Sequence, residues 1–249
     1  MNGFDTIIYE KREGIAHVTL NRPKSLNVYN IRMRDDLYQV LGAIKEDTDI
    51  RVAIFKGAGE KAFCAGADLN EFLTAPPPVM ARQVRFQRDI WRLFLNLPQP
   101  LIAAVQGYAL GSGVEIALCC DIRIGSEDVR FALPEVGLGI IPAAGGTQTL
   151  PRIIGRSKAL EILLTNPWVD AEEAYRIGLI NQVVPKAELL KRADELARRI
   201  AAHDPLAVRF AKQAVIKGLD MTLSQGLDLE KRLASGLHFP EKGRMKKQR

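Results

Sequence analysis

The sequence predicts an α/β protein with a largely parallel, layered sheet, and three observations support this. Short apolar segments typical of buried strands alternate with longer segments of helical periodicity up to Val184. The composition is that of a globular chain, 47% hydrophobic and 26% charged. With 249 residues, the chain is long enough for one large domain or for a core with a smaller appendage.

The N-terminal part of the chain predicts a hairpin followed by a helix. Residues 7–10 and 15–20 are rich in β-branched side chains and flank a turn near Glu13-Gly14. The segment NRPK ends the second strand, and residues 31–47 then carry apolar side chains close to helical spacing.

The middle of the chain continues the alternation. Strands are predicted at residues 52–55, 101–105 and 122–125. Helices are predicted as a short one near Asp68, then at 79–97, from 112 or 113 to 120, and near Thr147 to Ile154. The second of these follows three consecutive prolines, which form a loop because they cannot continue a helix.

The C-terminal part is predicted to be almost entirely helical. Helical periodicity extends from Lys186 to His238, with breaks at residues 203–205 and near residues 218–222. We expect a boundary within residues 186–200 and divide the chain into a core of residues 1–190 and a helical region of residues 191–249.

The charge pattern argues against a nucleic-acid partner. The formal net charge is +6, but residues 241–249 carry five basic residues and one acidic residue, a surplus of four, so the body carries only +2 (6 − 4). Nucleic-acid binding needs basic residues clustered on a folded face. An RNA-binding scaffold is therefore the less favoured, non-enzymatic alternative, which filter binding after removal of the tail would test.

The chain shows no export signal, and we expect a cytoplasmic protein. Residues 101–120 are long enough to span a membrane, but glycines and Glu115 interrupt them, so a strand, a turn and a buried helix are predicted instead. The three cysteines, Cys64, Cys119 and Cys120, have no disulfide or metal-ligand spacing. We interpret them as buried small side chains rather than nucleophiles.

A lone glutamate in an apolar stretch is the strongest indication of chemistry. Glu115 is the one charged residue between Leu101 and Cys120, and an ionised carboxylate is costly to bury without partners. Glu135, after Pro134, is a second carboxylate among apolar neighbours. Paired carboxylates with different environments can act as acid and base. No histidine lies in such a motif, so a Ser-His-Asp or metal mechanism has little support.

Two small-residue segments lead into predicted helices. They are KAFCAGADLNEF at residues 61–72 and GYALGSGVEIAL at residues 107–118. A helix start presents unsatisfied N–H groups, and small residues let the backbone approach a ligand. Two such donors that converge on one oxygen would form an oxyanion hole, although ordinary helix entries would have the same pattern.

Taken together and in order, four segments resemble the enoyl-CoA hydratase/isomerase, or crotonase, family over residues 5 to about 235. The segments are VTLNRPKSLNVYN, EKAFCAGADLNEF, PLIAAVQGYALGSGVEIALCCDIRIGSED and FALPEVGLGIIPAAGGTQTLPRIIG. The resemblance implies a spiral of β-β-α units (the ClpP-like fold), followed by a helical region that builds trimers, often paired into hexamers. It also implies acyl thioesters of coenzyme A as substrates.

The resemblance assigns catalytic roles. It implies that the backbone N–H groups of Ala67 and Ser112 form the oxyanion hole. Both glutamate positions of the family's hydratases are filled, which favours hydration over isomerisation. Glu115 would then hold and activate water, while Glu135 would exchange a proton with the α-carbon. No metal or redox cofactor is expected, since coenzyme A is part of the substrate. The alternatives are isomerisation, hydrolysis and hydration of a cyclic dienoyl thioester.

The resemblance also implies a binding site for the coenzyme. The expected contacts are Lys24, Ser25, Leu26, Ala65, Asp68, Leu69 and Gly111. Lys24 is either a phosphate ligand or a solvated surface lysine. The sequence departs from the family at Ala143, where glycine is usual, and this adds a methyl group near the acyl pocket. The family's terminal pattern does not occur in GLHFPEKGRMKKQR, so the resemblance does not carry over the terminal Lys and aromatic contacts that a neighbouring subunit makes to coenzyme A in the family.

Overall fold

The computed structural model describes residues 3–73 and 88–237. The longer sheet has six strands in the order β1-β2-β3-β5-β7-β10. They are β1 (Ile7–Arg12), β2 (Ile15–Leu20), β3 (Val52–Gly57), β5 (Leu101–Val105), β7 (Ile122–Ser126) and β10 (Gln182–Val184). Only β1 is antiparallel to its neighbour in this sheet, so the predicted hairpin and the largely parallel sheet are confirmed.

The second sheet has four shorter strands in the order β4-β6-β8-β9. They are β4 (Ala62–Cys64), β6 (Tyr108–Leu110), β8 (Arg130–Ala132) and β9 (Val169–Asp170). Strands β3, β5 and β7 of the first sheet are each followed by a short strand of the second, namely β4, β6 and β8. This repetition is the β-β-α spiral that the sequence resemblance implied.

The described helices connect the strands and complete the C-terminal part. In chain order they are α1 (Ile31–Glu46), α2 (Leu69–Leu73), α3 (Ile90–Leu95), α4 (Ser112–Cys119), α5 (Gly146–Ile154), α6 (Arg156–Thr165), α7 (Ala171–Arg176), α8 (Leu189–Ala201), α9 (Pro205–Gly218) and α10 (Leu223–Ser235). The helix predicted at 79–97 lies partly outside the described residues; within them its remainder is α3. None of the described helices combines the length and apolar character needed to cross a membrane.

Helix α8 belongs with the sheets rather than with the helices that follow it. Leu189, Ala193 and Ala197 recur every four residues, and they pack with Val52 and Ile54 in one buried cluster. The contacts accordingly divide the chain between Ala201 and Ala202. This division lies later than the predicted residue 190, because the helical periodicity of α8 does not reveal which surface its apolar stripe covers.

The C-terminal unit contains α9 and α10, and their ends match the predicted breaks. Asp204 caps α9 by accepting hydrogen bonds from Leu206 N at 3.0 Å and Ala207 N at 2.9 Å, and Pro205 occupies the first turn. Thr222 and Gln225 form a capping box at the start of α10. The oligomerisation role of this region stays a prediction.

Candidate active site

The entry to α4 is built by glycines. Gly111 has φ 46° and ψ −117°, a backbone conformation that side chains disfavour. A Cβ placed at Gly113 would lie 2.0 Å from the carbonyl oxygen of Cys64, so only glycine lets α4 pack this closely against the end of β4. The helix start is therefore held beside the loop that follows Cys64.

That loop is fixed to an earlier segment by three backbone hydrogen bonds. Ala65 N donates to Leu26 O at 3.0 Å, Tyr29 N donates to Gly66 O at 2.8 Å, and Asp68 N donates to Tyr29 O at 2.8 Å. The last two of these bonds form a β-bridge between Tyr29 and Ala67. They use Gly66 O and Asp68 N, the groups on either side of Ala67, so the Ala67 N–H faces away from Tyr29. Gly66 Cα lies 3.9 Å from the position of a Cβ at Gly111, which places the two loops side by side.

The two N–H groups predicted to form the oxyanion hole lie on these adjoining loops. Within residues 3–73 and 88–237, neither Ala67 N–H nor Ser112 N–H donates to a protein acceptor. Ser112 is the first residue of α4, where the partial positive charge of the helix dipole adds to the attraction for an anion. The arrangement suits an oxygen that gains negative charge.

Glu115 is buried in the first turn of α4 and is held by backbone donors. Its side chain is 2% exposed, and Oε1 accepts hydrogen bonds from Ala144 N at 2.8 Å and Gly146 N at 2.9 Å. A Cβ at Gly146 would lie 3.0 Å from Glu115 Oε1, so glycine is needed where α5 begins. These donors explain how the sequence accommodates an acidic residue in an apolar stretch.

Glu135 has a different environment. It begins a short 3₁₀ turn, Glu135–Leu138, directly after Pro134, and is half-buried. Oε2 is buried and has no hydrogen-bond partner in the described part of the chain. Burial raises the pKa of Glu135, and a hydrogen bond from its own backbone only partly opposes this shift. The carboxyl group therefore keeps its proton to a higher pH than an ordinary glutamate.

Gly111, at the entry to α4, lies beside Glu135 and the Ala67 loop. Glu135 Oε1 lies 2.7 Å from the position of a Cβ at Gly111, and Glu115 N donates to Gly111 O at 3.0 Å. Ser112 follows Gly111 directly, and the loop of Ala67 lies beside it. The structure thus brings both predicted glutamates and both predicted N–H donors to the start of α4.

Arg22 holds one of the predicted site residues, a role that was not predicted from the sequence. Arg22 Nη1 donates to Asp68 Oδ2 at 3.0 Å and to Val28 O at 2.8 Å. The resemblance implied a coenzyme contact for Asp68, whereas its carboxylate pairs with Arg22, and Asp68 Oδ1 also accepts a hydrogen bond from Asn70 N at 3.2 Å. The ion pair ties the loop after β2 to the Ala67 loop. The basic side chain in NRPK was the available signal.

Two of the other predicted coenzyme contacts line a common surface pocket. Lys24 and Leu26 line a surface pocket together with Pro23, Ala58, Gly59, Glu60, Lys61 and Ala62. Ser25 lies between them in a short 3₁₀ turn, and Leu69 begins α2 with 60% of its surface exposed. Leu26 has φ 52°, an unfavourable left-handed conformation for its side chain.

Buried Asn27 braces this turn. Asn27 Nδ2 donates to Ala58 O and Ala62 O, both at 2.9 Å, and Oδ1 accepts from Arg22 N at 2.9 Å. Three hydrogen bonds therefore hold Leu26 and its neighbours in a strained shape at the edge of the pocket.

Other reactive groups have ordinary structural surroundings. Burial raises the pKa of Cys64 to about 12, which disfavours the thiolate that a nucleophile needs, and Cys119 and Cys120 are also buried. Burial lowers the pKa of His17, whose Nδ1 lies 3.8 Å from Asp194 Oδ1. The described residues contain no cluster of three or more His, Cys, Asp or Glu side chains suited to a metal.

The spiral of β-β-α units places the chain among the enzymes of the crotonase fold. The family model for enoyl-CoA hydratase/isomerase matches residues 10–247, and the chain belongs to this family.

Similar proteins agree with this assignment. The chain is 42% identical to the short-chain-enoyl-CoA hydratase of Clostridium acetobutylicum, with 91% of this chain and 87% of the relative covered. It is 39% identical to the crotonyl-CoA hydratase of Syntrophomonas wolfei, with 91% and 87% covered. The crystal structure of enoyl-CoA hydratase from Bacillus anthracis superposes with a TM-score of 0.89 at 40% identity, covering 94% of this chain and 91% of that chain.

Proposed function

We propose that the protein is an enoyl-CoA hydratase, which adds water reversibly across the 2,3-double bond of an acyl-CoA thioester. Family membership and relatives that are named hydratases support this reaction type. The observation that carries the proposal is that Glu135 Oε1 and the Ala67 loop lie beside Gly111, at the entry to the helix whose first turn carries Ser112 and Glu115.

The N–H groups of Ala67 and Ser112 hold the thioester carbonyl oxygen. When water attacks C3, electrons move through the double bond toward this oxygen, and an enolate forms. Fixed donors that already point at the oxygen stabilise the developing charge without reorganisation. The start of α4 reinforces this effect because its dipole presents positive charge to the same oxygen.

The two glutamates divide the proton transfers. Two backbone N–H donors accommodate the charged carboxylate of Glu115, which takes a proton from water as the hydroxyl bonds to C3. Glu135, whose burial favours the protonated form, gives its proton to C2. The net change is addition of one water. Glu115 ends protonated and Glu135 ionised, and proton exchange then restores the pair.

The coenzyme part of the substrate lies along the loops that precede these groups. We assign it to Lys24, Ser25, Leu26, Ala65, Asp68, Leu69 and Gly111. Asp68 contributes through its backbone and through its ion pair with Arg22, which positions the loop. The reaction as described uses protein groups and water, with no metal or redox cofactor.

Crotonyl-CoA turnover with identified products tests the proposal. Wild-type protein is expected to form 3-hydroxybutyryl-CoA, whereas Glu115→Gln and Glu135→Gln are each expected to lose activity by about 10²–10⁴-fold, the usual contribution of a general acid or base. Lys56→Gln, on the first sheet and outside the proposed machinery, is a matched charge-removing control expected to stay active. Full activity of Glu115→Gln would refute the two-carboxylate mechanism.

A panel of short, long and cyclic enoyl-CoA thioesters identifies the preferred acyl group. Product masses also separate the alternatives, because hydration adds one water, isomerisation leaves the mass unchanged, and hydrolysis releases free coenzyme A. A wild-type protein that only isomerises or hydrolyses its substrates would replace the proposed reaction.

We also propose a cytoplasmic homotrimer or homohexamer with no nucleic-acid or membrane partner. The C-terminal unit supports assembly because several of its large apolar side chains are exposed; they are Leu206, Val215, Ile216, Leu219, Met221, Leu223 and Leu227. Light scattering of the purified chain measures the oligomeric state, and a monomer at micromolar concentration would refute this proposal.

A further inference from the structure

Asn166 connects the end of α6 to the turn that carries Glu135. With its amide oriented to satisfy all three partners, Nδ2 donates to Leu133 O at 3.0 Å and Leu163 O at 3.1 Å, while Oδ1 accepts from Gly137 N at 2.9 Å. Leu133 lies two residues before Glu135 and Gly137 two residues after it. One side chain therefore holds the backbone on both sides of the glutamate.

The contact is close enough to be disturbed by any side chain at residue 137. We call the three side-chain hydrogen bonds of Asn166 the clamp. A Cβ at Gly137 would lie 2.8 Å from the Asn166 side-chain amide, so a side chain at residue 137 would displace the clamp. The turn's own hydrogen bonds, from Gly139 N to Val136 O and from Ile140 N to Glu135 O, stay within the segment. The bonds from Asn166 instead fix the segment to a neighbouring helix.

The Glu135 turn needs such a support. Val136 is 37% and Leu138 62% exposed, so these apolar side chains give the turn little buried packing. Oε2 of Glu135 has no hydrogen-bond partner among the described residues. The position of the carboxyl group therefore depends on where the backbone of the turn is held.

The backbone at residue 166 does not itself require this side chain. Asn166 ends α6 in the left-handed conformation, with φ 49°, and its N–H donates to Ile162 O. Glycine is the residue best suited to that conformation, and asparagine is tolerated. The helix end would form with glycine, whereas the three side-chain hydrogen bonds to residues 133, 137 and 163 would not.

We propose that Asn166 is a positioning residue, which holds the turn of Glu135 so that this glutamate reaches the α-carbon of the substrate. The inference rests on the proposed function, since Glu135 matters only if it transfers a proton. Asn166 acts on the rate through Glu135 and makes no contact with the thioester. Loss of the clamp should therefore lower kcat and leave KM nearly unchanged.

The test is a double-mutant cycle with crotonyl-CoA. Asn166→Gly retains the helix end and removes the clamp; kcat is expected to fall about tenfold, with KM within about twofold, because small misplacements of a reacting group are costly. In a Glu135→Gln background, the same change is expected to have no further effect on kcat. Thermal unfolding confirms that each variant is folded.

Two further variants keep the test decisive. Asn166→Asp tolerates the same backbone and still accepts from Gly137 N, but as a carboxylate it cannot donate to Leu133 O or Leu163 O, so it should also lower kcat. Glu13→Gly changes another left-handed position, φ 52°, in the exposed turn of the first hairpin and should leave kcat unchanged.

The outcomes separate this inference from the proposed function. If wild type hydrates crotonyl-CoA and Glu135→Gln does so about 10²–10⁴-fold more slowly, an Asn166→Gly variant with wild-type kcat refutes the positioning role of Asn166 alone. If Asn166→Gly lowers kcat by the same factor in wild type and in Glu135→Gln, the positioning role is also refuted, because the effect would not act through Glu135. A wild-type protein without hydratase turnover would overturn both proposals.

Discussion

Replacing Gly111 by alanine is the most direct test of the site's construction. The backbone there has φ 46° and ψ −117°, and the new Cβ would lie 2.7 Å from Glu135 Oε1 and 3.9 Å from Gly66 Cα. The contact with Oε1 is shorter than a Cβ normally makes. Either the carboxyl group or the start of α4 must move, and the Ser112 N–H moves with the helix start.

Two effects are expected, a loss of folding free energy and a loss of kcat, and general magnitudes give the size of each. A non-glycine residue in a sparsely populated backbone region costs about 1–3 kcal/mol of folding free energy. Misaligning one oxyanion donor costs roughly 10²–10³ in kcat, and displacement of Glu135 adds to this loss. Gly111→Ala should therefore lose far more activity than its loss of stability explains.

The assay follows the disappearance of the conjugated thioester of crotonyl-CoA by ultraviolet absorbance, with denaturant unfolding in parallel. Gly178→Ala is the matched control, because Gly178 also has a positive φ of 78° but a Cβ there would meet nothing within 4 Å. The control should lose stability and keep its kcat. Wild-type kcat in Gly111→Ala, or an equal loss of kcat in Gly178→Ala, would refute the reasoning.

Three further predictions concern protonation, loop positioning and the thiol. Because burial raises the pKa of Glu135, hydration should slow as pH rises through that raised value. Between the ordinary and the raised pKa, the folded protein binds a proton that the unfolded chain has lost, so the free energy of unfolding should fall as pH rises through this window. Unfolding measured against pH should show this fall in wild type and a smaller one in Glu135→Gln. A hydration rate that climbs across the window would contradict this. Arg22→Met should cost about 1–2 kcal/mol by denaturant unfolding and raise KM, since it breaks the largely buried pair with Asp68; unchanged stability and KM would refute the positioning role. Cys64, with its pKa raised to about 12, should resist alkylation at neutral pH, and rapid inactivation by iodoacetamide, with mass spectrometry locating the label on Cys64, would show the opposite.

The periodic spacing of apolar residues predicted most of the helices and several of the strands. The apolar spacing of α1, the short strands β3 and β5, and the breaks before α9 and α10 were all predicted, because each depends on residues close in sequence. The stretch from Leu101 to Cys120 forms β5 and α4, the strand and the helix that were predicted, whereas the short strand β6 lies where a turn was expected.

The contacts that complete the site were less visible for a physical reason. Ala144 and Gly146 hold Glu115 through backbone N–H groups, and every residue except proline carries such a group, so no residue type reveals which ones are aimed at an acid. The pair of Arg22 and Asp68 joins positions far apart in sequence, and single-sequence patterns do not specify such pairings.

The different surroundings of the two glutamates lead to one more prediction. Glu115 Oε1 accepts from two backbone donors, and the amide oxygen of glutamine can accept the same two hydrogen bonds. Glu115→Gln should therefore keep its stability within about 1 kcal/mol by denaturant unfolding, as expected when a buried group retains its partners, while losing hydratase activity.

Glu115→Ala is the matched comparison, because it leaves the N–H groups of Ala144 and Gly146 without their acceptor. It should cost roughly 2–4 kcal/mol, from two buried donors that each lose a partner worth about 1–3 kcal/mol. If the glutamine variant unfolds as readily as the alanine variant, then the negative charge, rather than the acceptor geometry, is what the loop after Pro142 requires. Equal stability of all three proteins would instead show that these two hydrogen bonds do not hold the loop.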